Sequence, residues 1–291
     1  MDSDSEHPWR PSARIRLAPI VAAAASELAE AGVDSPRVDA ELLAAHVLEI
    51  PRGRLALVDT LRPDQLRRFT VLVGERARRI PLQHLLGAAA FRHLELAVGD
   101  GVFIPRPETE LLAGWGVERA APGAVVVDLC SGTGAIALAV ADESRAGRVI
   151  AVERSPVALD YLRRNAAAFP SVEVVEGDVT DPALLAEIRG EVDVVLCNPP
   201  YVPDGTSVPP EVADHDPAEA VFGGADGLAV IRPVIALAAA LLKPGGVVGV
   251  EHDDSHGEAV PALVRADGRF TDVTAHPDLA GRPRFTTARR T

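Results

Sequence analysis

The sequence predicts an α/β fold: a mostly parallel, doubly wound sheet that follows a small helical domain. Two observations predict it. From Ala124 onward, short apolar runs alternate with helical patterns; strands apolar on both sides and separated by helices imply a parallel sheet covered on both faces. Before Ile80 the apolar residues Ile20, Leu28, Val38, Leu42, Leu43, Val47 and Leu48 recur at spacings near the helical period. The 291 residues fit two domains at roughly 100–200 residues each.

In chain order, residues 1–14 are polar and read as a disordered tail. Residues 15–82 form the helical domain: Asp34-Ser35-Pro36 is a helix-start signal, and Pro51-Arg52-Gly53 and Arg62-Pro63-Asp64 break the run into short helices. Its Arg-rich end (Arg67, Arg68, Arg76, Arg78, Arg79) reads first as a solvated face and second as a docking surface for a partner. Residues 83–104 read as a hairpin linker, because Phe91, Leu94, Leu96 and Val98 alternate with other residues up to Gly99-Asp100-Gly101.

The remainder, 105–291, carries the sheet. Pro107-Glu108-Thr109-Glu110 opens a helix through Trp115. Strands are expected at Val125–Leu129, Val149–Glu153, Val172–Glu176, Val192–Cys197 and Val247–Glu251. Helical runs lie between them at Ile136–Ala141, Pro156–Ala168, Pro182–Ile188 and Leu228–Leu242. Phe270–Ala275 and Arg284–Ala288 fit a closing hairpin at the sheet edge, which makes seven strands. Glu211–Asp216, acidic and Pro-flanked, reads as a mobile loop over the site.

Composition narrows the class. The chain is 47% hydrophobic with a formal net charge of −13, which argues against broad electrostatic gripping of nucleic acid. No apolar run reaches the roughly 20 residues that span a bilayer, and the polar start is not signal-like. With two cysteines, Cys130 and Cys197, the expectation is a reduced, soluble, cytoplasmic enzyme. No second histidine has ligand spacing to His252, so no metal is expected.

Two loops carry the chemistry. Asp128-Leu129-Cys130-Ser131-Gly132-Thr133-Gly134 follows the first strand of the sheet and precedes a helix; glycines there let the backbone turn sharply against a ligand. Glu153 ends the next strand, 19 residues past Gly134, where an acid accepts from ribose hydroxyls. A dinucleotide site wants a third glycine and a free helix N-terminus for pyrophosphate. Here that glycine is missing and Asp128 brings a negative charge, so S-adenosylmethionine, a sulfonium and an ammonium, fits better than NAD. After the third strand, Asp178 reads either as an acceptor for the adenine amino group or as a turn residue, and the two are compatible.

The second loop is Asn198-Pro199-Pro200-Tyr201, at the end of the apolar run 192–197. Its prolines have fixed φ and no N–H. It therefore offers acceptors, the Asn198 oxygen and backbone carbonyls, beside the Tyr201 ring. Such a device grips a planar –NH2 group, orients its nitrogen and stabilises charge developing there. An amide nitrogen of protein and the exocyclic amine of adenine in DNA or RNA both meet it.

These residues, with Pro81-Leu82-Gln83, Gly87, the block Ile104–Glu110, Phe222-Gly223-Gly224, Asp226-Gly227-Leu228 and Asp278–Arg282, resemble the release-factor glutamine methyltransferases, the HemK/PrmC family. The resemblance runs from about Pro81 to the C-terminus. It implies a class I S-adenosylmethionine-dependent methyltransferase, Rossmann-like, that methylates the glutamine amide nitrogen of the Gly-Gly-Gln loop in peptide chain release factors 1 and 2. It implies cofactor contacts from Cys130, Ser131, Gly132, Thr133, Gly134 and Glu153, and it places Asp178-Val179 where the family often has an acid-Trp pair on the adenine. Asn198 would touch cofactor and substrate; Asn198, Pro199, Pro200 and Tyr201 would hold the glutamine. Methylation of a ribosomal protein is a further alternative. A monomer, no direct nucleic-acid contact and no membrane association are expected.

Overall fold

The structure, a computed structural model, describes residues 15–291; the tail expected over 1–14 lies outside them. The chain divides into two units, with the boundary between Leu86 and Gly87.

The first unit is helical. β1 (Ile15–Arg16) leads into α1 (Leu17–Glu30), followed by α2 (Pro36–Leu48), β2 (Thr60–Leu61), α3 (Pro63–Ala77) and α4 (Leu82–Leu86). Pro36 and Pro63 each start a helix, where a missing N–H costs nothing. α2 ends at Glu49 in a left-handed conformation, and Ile50 N–H bonds back to Ala45. Leu28, Leu43, Phe69 and Val73 form its core. The expected boundary at residue 82 falls four residues early: Leu82, Leu85 and Leu86 pack on this core as α4.

The second unit opens with the hairpin β3 (Ala88–Phe91) and β4 (Leu94–Ala97), shorter than the 83–104 expected. The sheet elements then follow: α5 (Thr109–Arg119), β5 (Val125–Leu129), α6 (Ala135–Glu143), β6 (Arg148–Glu153), α7 (Pro156–Ala166), β7 (Val172–Glu176), β8 (Val192–Cys197), α8 (Pro210–His215), α9 (Ala218–Val221), α10 (Ile231–Leu241), β9 (Leu242–Glu251), α11 (Ala259–Asp267), β10 (Phe270–Pro277) and β11 (Pro283–Arg290). The seven strands run in the order β10-β11-β9-β8-β5-β6-β7. β5–β9 are mutually parallel, and β11 and β10 close the edge antiparallel.

Alternation sorts the two cores. Val127, Leu129, Ile150, Val152, Val195 and Cys197 face one layer of helices; Val126, Val149, Ala151, Val194 and Leu196 face the other. Successive residues of a strand point to opposite faces, so both layers are dry and the strands read as unbroken apolar runs.

Three expectations are corrected. Pro182–Ile188 is no α-helix: it is a chain of turns ending in a 3₁₀ turn at Ala186–Ile188. Leu185 sits at φ 52°, and Leu184, Leu185 and Ile188 are buried without a helix. β9 begins five residues early, because Leu242 already pairs with Val192 and a register shift absorbs the Pro-Gly-Gly stretch before Val247. Glu211–Asp216 is not an irregular loop: α8 fills most of it, and Asp216 is buried.

Candidate active site

The sheet order reverses at β5, whose neighbours are β6 on one side and β8 on the other. In open α/β sheets ligands sit at the carboxyl ends of the strands at such a switch. The loops after β5 and β8 carry the two sequence motifs, and a cavity of about 270 Å³ lies there.

Eleven of the thirteen residues singled out by sequence line it: Cys130, Ser131, Gly132, Thr133, Glu153, Asp178, Val179, Asn198, Pro199, Pro200 and Tyr201. The other two, Asp128 and Gly134, do not. Asp128 is completely buried; its Oδ2 accepts from Ser131 Oγ at 2.7 Å and from the Ala137 N–H at 3.1 Å. Burial pushes its pKa up to about 7, against those two hydrogen bonds. It ties the loop to α6 rather than presenting a charge to a ligand. Gly134 caps α6 at φ 94°, and a Cβ there would meet Leu162 Cδ1 at 2.6 Å. Both residues shape the loop from behind, which a strand-then-loop pattern does not distinguish from facing the cavity. Cys197, at the end of β8, is buried in the sheet.

The β5 loop is built from backbone. Gly132 is at φ 56° with open space where a Cβ would be. Cys130, at φ 58°, occupies a conformation that favours glycine. Glu153 crosses from β6: its Oε2 accepts from Gly132 N–H at 2.8 Å, and Oε1 accepts from the N–H groups of Arg154 and Ser155, each at 2.8 Å. A carboxylate has about four lone-pair sites, so one stays available beside the cavity. Thr133 Oγ1 is buried with no hydrogen-bond partner among the described residues, a donor for a ligand to fill. Asp178 Oδ1 accepts from Thr180 N–H and Oγ1 at 2.8 and 2.7 Å, so the turn reading holds; its Oδ2 faces Arg154 at 3.4 Å.

The β8 loop is built from side chains reached over long separations. Asn198 Nδ2 donates to Thr109 Oγ1 at 3.2 Å, and its Oδ1 accepts no hydrogen bond among the described residues. Tyr201 Oη donates to Glu251 Oε1 at 3.0 Å. Burial pushes the Tyr201 hydroxyl well above its usual range, and the Glu251 charge adds to this. Glu251 ends β9 almost wholly buried. Burial raises its pKa to about 7, against the Thr109 and Tyr201 hydroxyls and the Arg284 cation.

Behind the loop, Val202 N–H donates to Val221 O at 3.0 Å and Gly223 N–H to Val202 O at 2.9 Å. A Cβ on Gly223 would meet Pro200 O at 2.5 Å, so only glycine lets this segment back the prolines. Arg106, stacked 4.8 Å over Phe103, pairs with Asp216, whose pKa burial raises to about 6 against that cation.

The sequence pattern does not single out Thr109, Glu251, Arg106 or Arg284 as parts of one site, and it brings Asp216 there only within a mobile loop. Thr109 and Arg106 lay in the Ile104–Glu110 block, and Glu251 is an acid ending a central strand; that position was the available signal.

The profile of the FtsJ-like methyltransferases matches residues 110–277, more than half the chain, and this defines the class: a methyltransferase. The fold resembles that of the T. thermophilus 16S rRNA N2 G1207 methyltransferase, with TM-score 0.50 and 23% identity over 70% of this chain and 50% of that one. Residues 20–87 match the PrmC N-terminal domain. The release factor glutamine methyltransferase of Mycolicibacterium smegmatis is 59% identical, covering 94% of this chain and 98% of that relative. Those of Mycobacterium tuberculosis H37Rv and Streptomyces coelicolor are 50% and 47% identical, covering 92% and 93% of this chain and 89% and 96% of their own lengths. The chain belongs to the release factor glutamine methyltransferase family.

Proposed function

We infer that this protein transfers a methyl group from S-adenosylmethionine to the side-chain amide nitrogen of the glutamine in the Gly-Gly-Gln motif of peptide chain release factors. The observation that carries the reading is Asn198, which lines the cavity with its NH2 held by Thr109.

The residues present fit the cofactor: Glu153 with a spare lone pair for ribose, the unpartnered Thr133 hydroxyl, and apolar walls from Val152, Ile136 and Val179 for the adenine. S-adenosylmethionine supplies an activated methyl on a positively charged sulfur. The chain's own residues do the rest. Asn198 Oδ1 and a carbonyl of the proline corner accept the two hydrogens of the amide, and Tyr201 covers its plane. This aligns the nitrogen and stabilises the positive charge that grows on it. The nitrogen's lone pair would take the methyl group of S-adenosylmethionine bound there, with the carbon–sulfur electron pair returning to sulfur as S-adenosylhomocysteine. The amide proton then passes to water, since the methylated nitrogen is acidic and needs no strong base.

The relatives' names give a release factor as the substrate; on the proposed reading the partners are release factors 1 and 2, and the enzyme acts as a monomer in the cytoplasm. No helix among the described residues is long and apolar enough to cross a membrane. The test is to incubate the enzyme with methyl-labelled S-adenosylmethionine and either purified release factor or adenine-containing nucleic acid. Label is expected on the release-factor glutamine; label on nucleic acid alone overturns the reading.

A further inference from the structure

An asparagine carboxamide has nearly the same shape either way up but opposite polarity. To hold an –NH2 group, Asn198 must face it with oxygen. We propose that Thr109 and Glu251 fix this choice, acting as positioning residues that hold the Asn198 oxygen toward the methyl-acceptor amide. The proposal rests on the reading that Asn198 grips the substrate.

The chain of donors runs inward. Asn198 Nδ2 donates to Thr109 Oγ1. Thr109, buried at the first turn of α5, has one hydroxyl proton. With a lone pair turned to Asn198, that proton must go to another acceptor. We assign that proton to Glu251: its Oε2 is buried without a hydrogen bond among the described residues, and the Thr109 hydroxyl favours its ionised form. Its Oε1 already takes the Tyr201 proton.

An ionised carboxylate only accepts. Both hydroxyls must then donate to it, Thr109 is left as an acceptor, and Asn198 must offer it NH2. A protonated Glu251 also donates. Thr109 can then accept from Glu251 and turn its own proton toward Asn198, which flips to offer oxygen inward and NH2 to the substrate, donors against donors.

The charge state of Glu251 therefore sets the polarity two residues away. The groups that face it are Tyr201 and Cys197 from β8 and its loop, Thr109 and Glu108 from the start of α5, and Arg284 from β11. Arg284 favours the ionised form, whereas burial and Glu108 favour the protonated one. That balance puts the transition in the neutral range, so turnover rises with pH through about 7.

The test measures kcat from pH 6 to 9 on the full chain with S-adenosylmethionine and purified release factor, alongside cofactor Kd and Tm. Wild type shows one rising step near neutrality. Glu251→Gln, which cannot ionise and so no longer forces Thr109 to donate inward, and Thr109→Val, which removes the hydroxyl, each lower kcat at pH 8 by roughly 10–100-fold, the scale of one misplaced transition-state contact. Both lose the step and keep cofactor Kd. Thr109→Ser restores kcat and the step.

A lowered Tm with the pH step intact in both variants means a merely structural role and overturns the proposal, as does wild-type kcat in both. If Glu251→Gln does not fold, the Thr109→Val and Thr109→Ser pair decides. Asn198→Ala separates the two levels. Wild-type turnover there sinks the grip itself; lost turnover there, with Glu251→Gln and Thr109→Val unaffected, sinks only the positioning role.

Discussion

The loops after β5 and β8 leave neighbouring strands side by side, yet they are held in different ways. After β5 the chain is shaped by its own backbone: positive φ at Cys130, Gly132 and Gly134, N–H groups gathered on Glu153, and a buried acid underneath. After β8 the prolines fix the backbone but leave polar positioning to distant partners, Thr109 at 89 residues' separation and Glu251 at 50. A small ligand common to many enzymes can be bound by a local motif. A specific acceptor amide needs side chains whose polarity is set by the rest of the fold.

Substitutions can break this contrast. The largest effect is expected from Asn198→Ala. It removes one preorganised acceptor and should cost kcat a factor of roughly 100 or more, while cofactor Kd is expected to stay near wild type. Single-turnover kinetics with calorimetry of cofactor binding separates the two; equal loss of both would merge the loops into one unit.

Next is Asp128→Asn, read through stability. The native pKa of Asp128 is raised from 3.8 to about 7. Between about pH 4 and 7 the folded chain therefore holds a proton that the unfolded chain has released. Stability falls as pH rises across that window and is flat above it. Glu251 and Asp216, raised to about 7 and about 6, add the same sign. Asp128→Asn removes its share. Urea unfolding at pH 5 and pH 8 should show the wild-type loss reduced by on the order of 2 kcal/mol; an unchanged slope would contradict the buried, protonating acid.

The smallest effect is at Cys130. A left-handed conformation costs a side-chain-bearing residue roughly 1–2 kcal/mol and suits a β-branched one worst. Cys130→Gly should leave stability within about 1 kcal/mol of wild type, relieved strain offsetting lost packing and chain entropy, whereas Cys130→Val falls below both. Thermal unfolding of the three proteins ranks them, and a Val variant as stable as wild type would remove the strain at this position.

The β5 loop was legible in sequence because its determinants are neighbours: glycines, a preceding strand, an acid ending the next strand. What was misread there was direction, since Asp128 and Gly134 point behind the loop. The helix expected over 182–188 failed because three buried apolar residues, Leu184, Leu185 and Ile188, satisfy burial equally well as turns. Glu211–Asp216 has the local pattern of a mobile loop because nothing in its neighbourhood of the sequence reveals that Asp216 is buried against Arg106.

Sequence alone determined the two-unit plan, the parallel sheet, the methyl-donor class and the proline corner at Asn198, because periodicity, glycine and proline act within a few residues. Only the tertiary structure decided that Thr109, Glu251 and Arg284 converge behind that corner. They lie on three elements whose adjacency comes from strand order, and a buried carboxylate takes its charge and its partners from that adjacency.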